Sequence, residues 1–185
     1  MTRDALDARI LAWMREPDWK RDDARFEAIA RDMFAHQLAH CEPYSRFCAR
    51  RGVSATSLRS WREIPAVPTG AFKEVALRGF PAERTRKTFR TSGTSTARRG
   101  ELHLDTLALY EASLLPSFRR GVLPDLPVSA RARMRVLAPS PTELPDSSLS
   151  HMFGCAVEAF GDAGSGFDVE RGDLRLDPLL AALGR

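Results

Sequence analysis

From residue 87 onward, short extended runs alternate with longer segments of helical periodicity, and that alternation narrows the fold more than any other property of the chain. Strand candidates at 87–91, 100–104, 134–138 and 167–169 are interleaved with helix candidates at 106–119 and 148–160. Asp105 is placed to cap the first of these helices. The pattern predicts an α/β fold with a partial, mostly parallel sheet and flanking helices. Upstream, 5–14 and 24–38 carry apolar residues at helical spacing, with Phe26, Ile29, Ala30, Met33, Phe34 and Leu38 on one broad face. The Pro/Gly-bearing run Ile64 to Gly70 reads as a connector. The expected organisation is a helical region over 1–62 and an α/β region over 63–185.

Between the first two strand candidates stands Thr91-Ser92-Gly93-Thr94-Ser95, followed by Thr96-Ala97-Arg98-Arg99-Gly100. Glycine allows backbone dihedrals that a side chain forbids, and hydroxyls together with exposed N–H groups can donate to phosphoryl oxygens. Arg98 and Arg99 add fixed positive charge. Composition alone fits an ordinary surface turn as well as a phosphate cradle. The dinucleotide pattern G-x-G-x-x-G is absent, and Gly100 precedes Glu101 rather than the Lys-Ser/Thr of a P-loop.

The run from Phe89 to Ser95 resembles the phosphate-loop signature of adenylate-forming enzymes, T-S-G-T-T-G-x-P-K. Ile64-Pro65-Ala66-Val67-Pro68-Thr69-Gly70-Ala71-Phe72-Lys73 upstream resembles the acyl-protein synthetase family of bacterial bioluminescence, a relative of phenylacetate-CoA ligase. Downstream, Leu137-Ala138-Pro139-Ser140-Pro141 and Ser147-Ser148-Leu149-Ser150-His151-Met152 carry the same likeness, which spans roughly residues 26 to 182. It implies a ligase that activates a carboxylic acid, such as a fatty acid, with Mg-ATP and passes the acyl group to a thiol. On that resemblance Thr91, Ser92, Gly93, Thr94 and Ser95 hold the β- and γ-phosphates, and Arg98 or Arg99 replaces the signature lysine. His151 and Met152 fall near the mouth of an acyl pocket; a plain core role for Met152 and Phe153 fits as well.

The chain departs from the signature at Thr96, where the second glycine is expected, and arginine offers a planar bidentate fork where lysine offers a point charge. The downstream adenine, ribose and lysine motifs find no match in the 185 residues. The expectation is therefore the N-terminal part of an adenylate-forming domain, completed by a C-terminal partner chain or acting on an acyl-acceptor protein. The alternative is a non-catalytic remnant that serves as a protein-interaction module. At the end, Asp177-Pro178 reads as N-cap and first residue of a helix closed by Gly184, after which a parallel sheet would call for another strand.

The remaining candidates are weaker. His36 and His40 share a helical face, but Gln37 stands where a zinc protease has its glutamate, so no metal site is expected. Cys41, Cys48 and Cys155 form no C-x-x-C pair and read as small buried apolar groups. The glycine-rich run Gly161 to Gly166 reads as a helix end and turn. A net charge of +4, with acidic residues interspersed among the arginines and no nucleic-acid motif, argues against nucleic-acid binding. No apolar run approaches the ~20 residues of a membrane span, and Met1-Thr2-Arg3-Asp4 lacks a secretory pattern, which places the protein in the cytoplasm.

Overall fold

A computed structural model describes residues 1–17, 19–91 and 98–184, with helices and two small sheets in an α/β arrangement. Contacts divide the chain into two compact units, Met1–Leu109 and Tyr110–Arg185.

The first unit opens with α1 (Arg3–Met14), α2 (Asp23–His40) and α3 (Glu42–Ala49). Polar side chains start the first two: Thr2 Oγ1 accepts from the Ala5 N–H at 3.3 Å and an Asp22 oxygen accepts from the Arg25 N–H at 2.9 Å. The third begins with Pro43 in its first turn, where a missing N–H costs nothing. Two apolar clusters hold these helices. Leu6 and Ile10 of α1 pack on Ile29 of α2, and Phe34 of α2 packs with Cys48 of α3 and Leu58. The expected face of α2 is thus split between two neighbours. Phe26 and Met33, on its margin, remain 43% exposed, with Phe26 set edge-on to Trp61 at 5.0 Å.

Glu27 of α2 fixes the turn that follows. Its oxygens accept from the Trp61 N–H at 3.1 Å, while neighbouring Arg31 donates to the Leu58 carbonyl at 3.0 Å. The Trp61 N–H first, and then Arg31 Nε, which donates to Glu27 Oε1 at 2.5 Å, hold the Glu27 carboxyl below the usual range. A one-turn helix α4 (Ala71–Glu74) then leads to strands β1 (Lys87–Arg90) and β2 (Glu101–Leu104). They pair antiparallel, Arg90 opposite Glu101 and Thr88 opposite His103. The connection is too short for the crossover that a parallel pair requires.

The helix α5 (Ala108–Val122) begins later than expected, and Asp105 does not cap it. Arg3 draws both Asp105 oxygens, at 2.9 and 3.2 Å, and Thr106 Oγ1 instead accepts from the Ala108 N–H. In the second unit, β3 (Arg135–Pro139) connects through α6 (Ser148–Phe160) to β4 (Gly166–Glu170), which lies parallel to it. The bounds of α6 are those read from the sequence: Ser147 Oγ accepts from the Ser150 N–H at 3.1 Å, and Gly161 closes the last turn onto the Val157 carbonyl.

After β4, Arg171 and Gly172 take φ of 53° and 87° and reverse the chain into the two-residue β5 (Asp173–Leu174). Both central residues at positive φ match the hairpin turn that suits strand twist. Among the described residues β3/β4 and the isolated bridge Ala132–Gly161 are parallel, while β1/β2 and β4/β5 are antiparallel, so the α/β arrangement expected from the sequence combines both kinds of pairing. The last helix, α7 (Leu176–Leu183), starts with Arg175 before it, so Asp177 is not the N-cap and Pro178 lies within the first turn. Val136, Phe118, Ala156 and Leu179 are buried in this unit, with Phe118 stacked on Phe160 at 6.2 Å. Asp168, 1% exposed, is paired bidentately with Arg135, at 2.9 Å through Nε.

Candidate functional site

Two groups of chemistry-bearing side chains stand out, one in each unit. The first surrounds the base of the hydroxyl-rich loop. Ser92, Gly93, Thr94 and Ser95 lie outside the described residues, whereas Thr91 and Arg98 are within them. Thr91 and Gly100 form a clasp: the Thr91 N–H donates to the Gly100 carbonyl at 2.9 Å, and the Gly100 N–H donates to Thr91 Oγ1 at 2.9 Å. Acting as acceptor leaves the hydroxyl proton of Thr91 to give. Space at Gly100 is tight: a Cβ would lie 3.3 Å from Thr91 Oγ1 and 3.4 Å from the Phe72 Cβ, so the Thr91 side chain would have to give slightly.

Beside the clasp is a cleft of about 570 Å³ whose lining includes Lys73, Arg90, Arg98, Arg99, Glu74 and Glu101. Four cations face two carboxylates. Arg90 Nε donates to Glu101 at 2.9 Å, Arg98 reaches Glu74 at 3.4 Å, and Arg99 Nε donates to the Thr91 carbonyl at 2.8 Å. The Arg90 hydrogen bond holds the Glu101 carboxyl below its ordinary range. His103 also lines the cleft, with Nδ1 3.1 Å from Thr88 Oγ1 and Nε2 3.5 Å from Glu101. The surplus positive charge and the forked donors suit a multiply charged oxyanion. Arg90 belongs with Arg98 and Arg99 to the arginines that the sequence gathers around the loop, whereas Lys73 and His103 carry no site role in the sequence alone. Lys73 ends the run Ile64 to Lys73 that carries the resemblance, and period-two alternation puts Arg90, Glu101 and His103 on paired strands, so a signal existed for each.

The second group joins α5 to α6. His151 and Cys155 are one helical turn apart, and Glu111 comes from the start of α5. His151 Nε2 lies 3.1 Å from Glu111 Oε1 and 3.5 Å from Cys155 Sγ. The three ligand atoms lie within 4.8 Å of one another, and no other grouping of three or more metal-ligating side chains occurs among the described residues. Tyr110 sets its ring 5.7 Å from that of His151 and donates its O–H to the Ser148 carbonyl at 3.1 Å. Burial pushes the Cys155 thiol up from its ordinary value, and the Glu111 and Glu158 carboxylates add to this. The thiol is therefore protonated rather than activated as a nucleophile.

Met152, the other residue expected at an acyl pocket, is half-buried and adjoins His151 on α6. Sequence reading took Cys155 for an apolar filler and left Glu111 unnamed; the four-residue step from His151 to Cys155 was the available signal, whereas nothing in spacing announces Glu111. The expected face-sharing of His36 and His40 is present, with ring centroids 4.4 Å apart. Burial foremost, then the His40 charge, lowers the His36 pKa. Cys41 and Cys48 are buried, as packing residues would be.

No match decides the family. Comparison with protein-family models, with curated proteins and with solved structures returns none. The two groups are accordingly read from their own geometry. Among the described residues no helix is long and apolar enough to cross a membrane.

Proposed function

We propose that this chain binds the phosphates of ATP at the Lys73–Arg90–Arg98–Arg99 cleft and supplies the phosphate-binding part of an ATP-dependent carboxylate activation in the cytoplasm. The observation that carries this reading is the excess of cations lining a cleft at the base of the Thr91 to Gly100 loop. In the reaction a carboxylate oxygen attacks the α-phosphorus, pyrophosphate leaves, and a thiol sulfur then displaces AMP from the acyl carbon. The cleft would stabilise the charge that gathers on the departing pyrophosphate, the part of such chemistry in which fixed donors contribute most.

The donor set fits a polyphosphate, and the volume is that of an ordinary ligand site. Mg²⁺ would be held chiefly by phosphate oxygens and water, because Glu74 and Glu101 are each engaged by an arginine. The carboxylate is a small molecule, with a fatty acid the expectation from the resemblance. The acyl acceptor, or a C-terminal partner chain, completes the reaction.

Calorimetry of Mg-ATP and of a non-hydrolysable acyl-adenylate mimic tests this reading. Binding by the wild type is expected to weaken at least tenfold, about 1.4 kcal/mol, in Lys73→Ala with Arg98→Ala. A folded wild type that binds neither compound overturns it. Exposed leucines favour the interaction-module reading instead: Leu137 on β3 is 62% exposed and Leu180 on α7 is 56% exposed. Retention of a partner protein by wild type, lost on Leu137→Lys, with no nucleotide binding, would select that alternative.

A further inference from the structure

The geometry points to a binding site for one thiophilic divalent cation, Zn²⁺, formed by Glu111 Oε1, His151 Nε2 and Cys155 Sγ, with a fourth position left for water or an anionic oxygen. This inference goes beyond the nucleotide reading and does not rest on it.

Two electron-rich groups converge on one ring nitrogen. His151 Nε2 is approached by a carboxylate oxygen at 3.1 Å and by a thiol sulfur at 3.5 Å. A single ring nitrogen either donates one proton or accepts on one lone pair. If Nε2 carries the proton and gives it to Glu111, the sulfur meets the same N–H only as a weak second acceptor. If Nε2 accepts from the thiol, it turns a lone pair toward the Glu111 carboxylate. A cation among the three atoms engages all of them at once, because each then acts as an electron-pair donor.

The distances agree with that arrangement. A tetrahedral Zn²⁺ with bonds of about 2.0–2.3 Å sets its ligand atoms about 3.3–3.6 Å apart, close to the two separations about Nε2. The third separation, within 4.8 Å, closes by a rotamer adjustment of Glu111, whose side chain is 42% exposed. One sulfur, one imidazole nitrogen and one carboxylate oxygen form a borderline-soft set that favours zinc over the hard cations Mg²⁺ and Ca²⁺. The α6 backbone holds His151 and Cys155 one turn apart, and Gly154 between them fixes that turn against Pro141, where a Cβ would lie 2.6 Å from the ring Cγ. Glu158 adds negative charge on the thiol side. Binding releases the Cys155 thiol proton to solvent and puts the His151 proton on Nδ1, leaving the sulfur anionic and Nε2 with a lone pair.

Three protein ligands with an open fourth position is the pattern of sites that present a Lewis acid to a ligand, whereas purely structural zinc sites are closed by four. The expected occupant of that position is water, replaceable by a carboxylate or phosphate oxygen.

The test uses the full chain, free of any affinity tag, titrated with Co²⁺ and then with Zn²⁺. One equivalent of Co²⁺ is expected to give thiolate-to-cobalt charge-transfer absorption that one equivalent of Zn²⁺ abolishes. Cys155→Ser is expected to remove that absorption. Glu111→Gln, a change at a half-exposed position that leaves the core untouched, should weaken affinity by more than the roughly 10–100-fold that loss of an outer partner costs. Circular dichroism confirms that both variants fold. Absorption that survives Cys155→Ser overturns the site, as does its loss on His40→Ala, which would place the metal at the His36/His40 pair. Failure of a folded wild type to take up either metal overturns it too.

Discussion

The cleft beside the Thr91–Gly100 clasp and the Glu111–His151–Cys155 cluster are opposite in their electrostatic character. The cleft gathers guanidinium and ammonium groups around open space, partly balanced by carboxylates, and offers hydrogen bonds and charge to an oxyanion. The cluster gathers electron-pair donors around a single point between two helices, and offers them to a cation. One is sensitive to ionic strength because its charges are exposed; the other depends on the packing that keeps α5 and α6 in place.

The largest expected effect bears on that packing. Phe118 of α5, buried and stacked on Phe160 of α6, supplies the aromatic contact at the far end of the two helices from Glu111 and His151. Phe118→Ala should destabilise the protein by about 3–5 kcal/mol in urea unfolding and weaken Co²⁺ uptake, while Mg-ATP binding measured well below the transition persists. Equal loss of both would break the distinction between the two sites. Next in size is Gly154→Ala, where the clash with Pro141 should cost about 1–3 kcal/mol despite alanine's better helix propensity.

Thr91→Ala removes the acceptor of the Gly100 N–H and should cost about 1 kcal/mol in thermal unfolding, with weaker nucleotide binding and unchanged metal uptake. Ionic strength separates the sites without mutation. Raising salt from 0.1 to 1 M, which shortens the screening length from ~10 to ~3 Å, should weaken phosphate binding severalfold and leave the one-equivalent Co²⁺ spectrum intact.

The smallest effect lies at Glu27, whose lowered pKa contributes stability that is complete above the ordinary carboxylate range near 4.5 and is lost as pH falls through the lower folded value. Thermal midpoints measured between pH 5 and 3 should fall more steeply in the wild type than in Glu27→Gln. Parallel curves would mean that the Trp61 and Arg31 contacts do not favour the ionised form.

Local chemistry was legible in the sequence where both partners of an interaction are close along the chain. Ser147 and Gly161 bracket α6 at the residues their types predict, and the strands either side of the loop follow from short apolar alternation. Where a distant group intervenes, local rules yield. Asp105 has the type and place of an N-cap, yet Arg3, 102 positions away, takes both of its oxygens. The mixture of parallel and antiparallel pairing was not legible, because alternation shows that strands exist but does not say which of them pair. The same limit hid the cation cluster, since Glu111 and His151 are 40 residues apart and meet only through the packing of α5 on α6.

The Thr91–Gly100 clasp has a consequence for conformational entropy. By joining Thr91 to Gly100 through one backbone bond and one bond to the Thr91 hydroxyl, it incurs the loop-closure cost during folding rather than at the moment a ligand arrives. An oxyanion at the adjoining cleft would then meet Thr91 and Gly100 already held together and would spend less of its interaction free energy on bringing them into place. Loosening the clasp should therefore slow capture of an anion without altering the charge that attracts it, so that association rate and salt dependence become separable properties of the same loop.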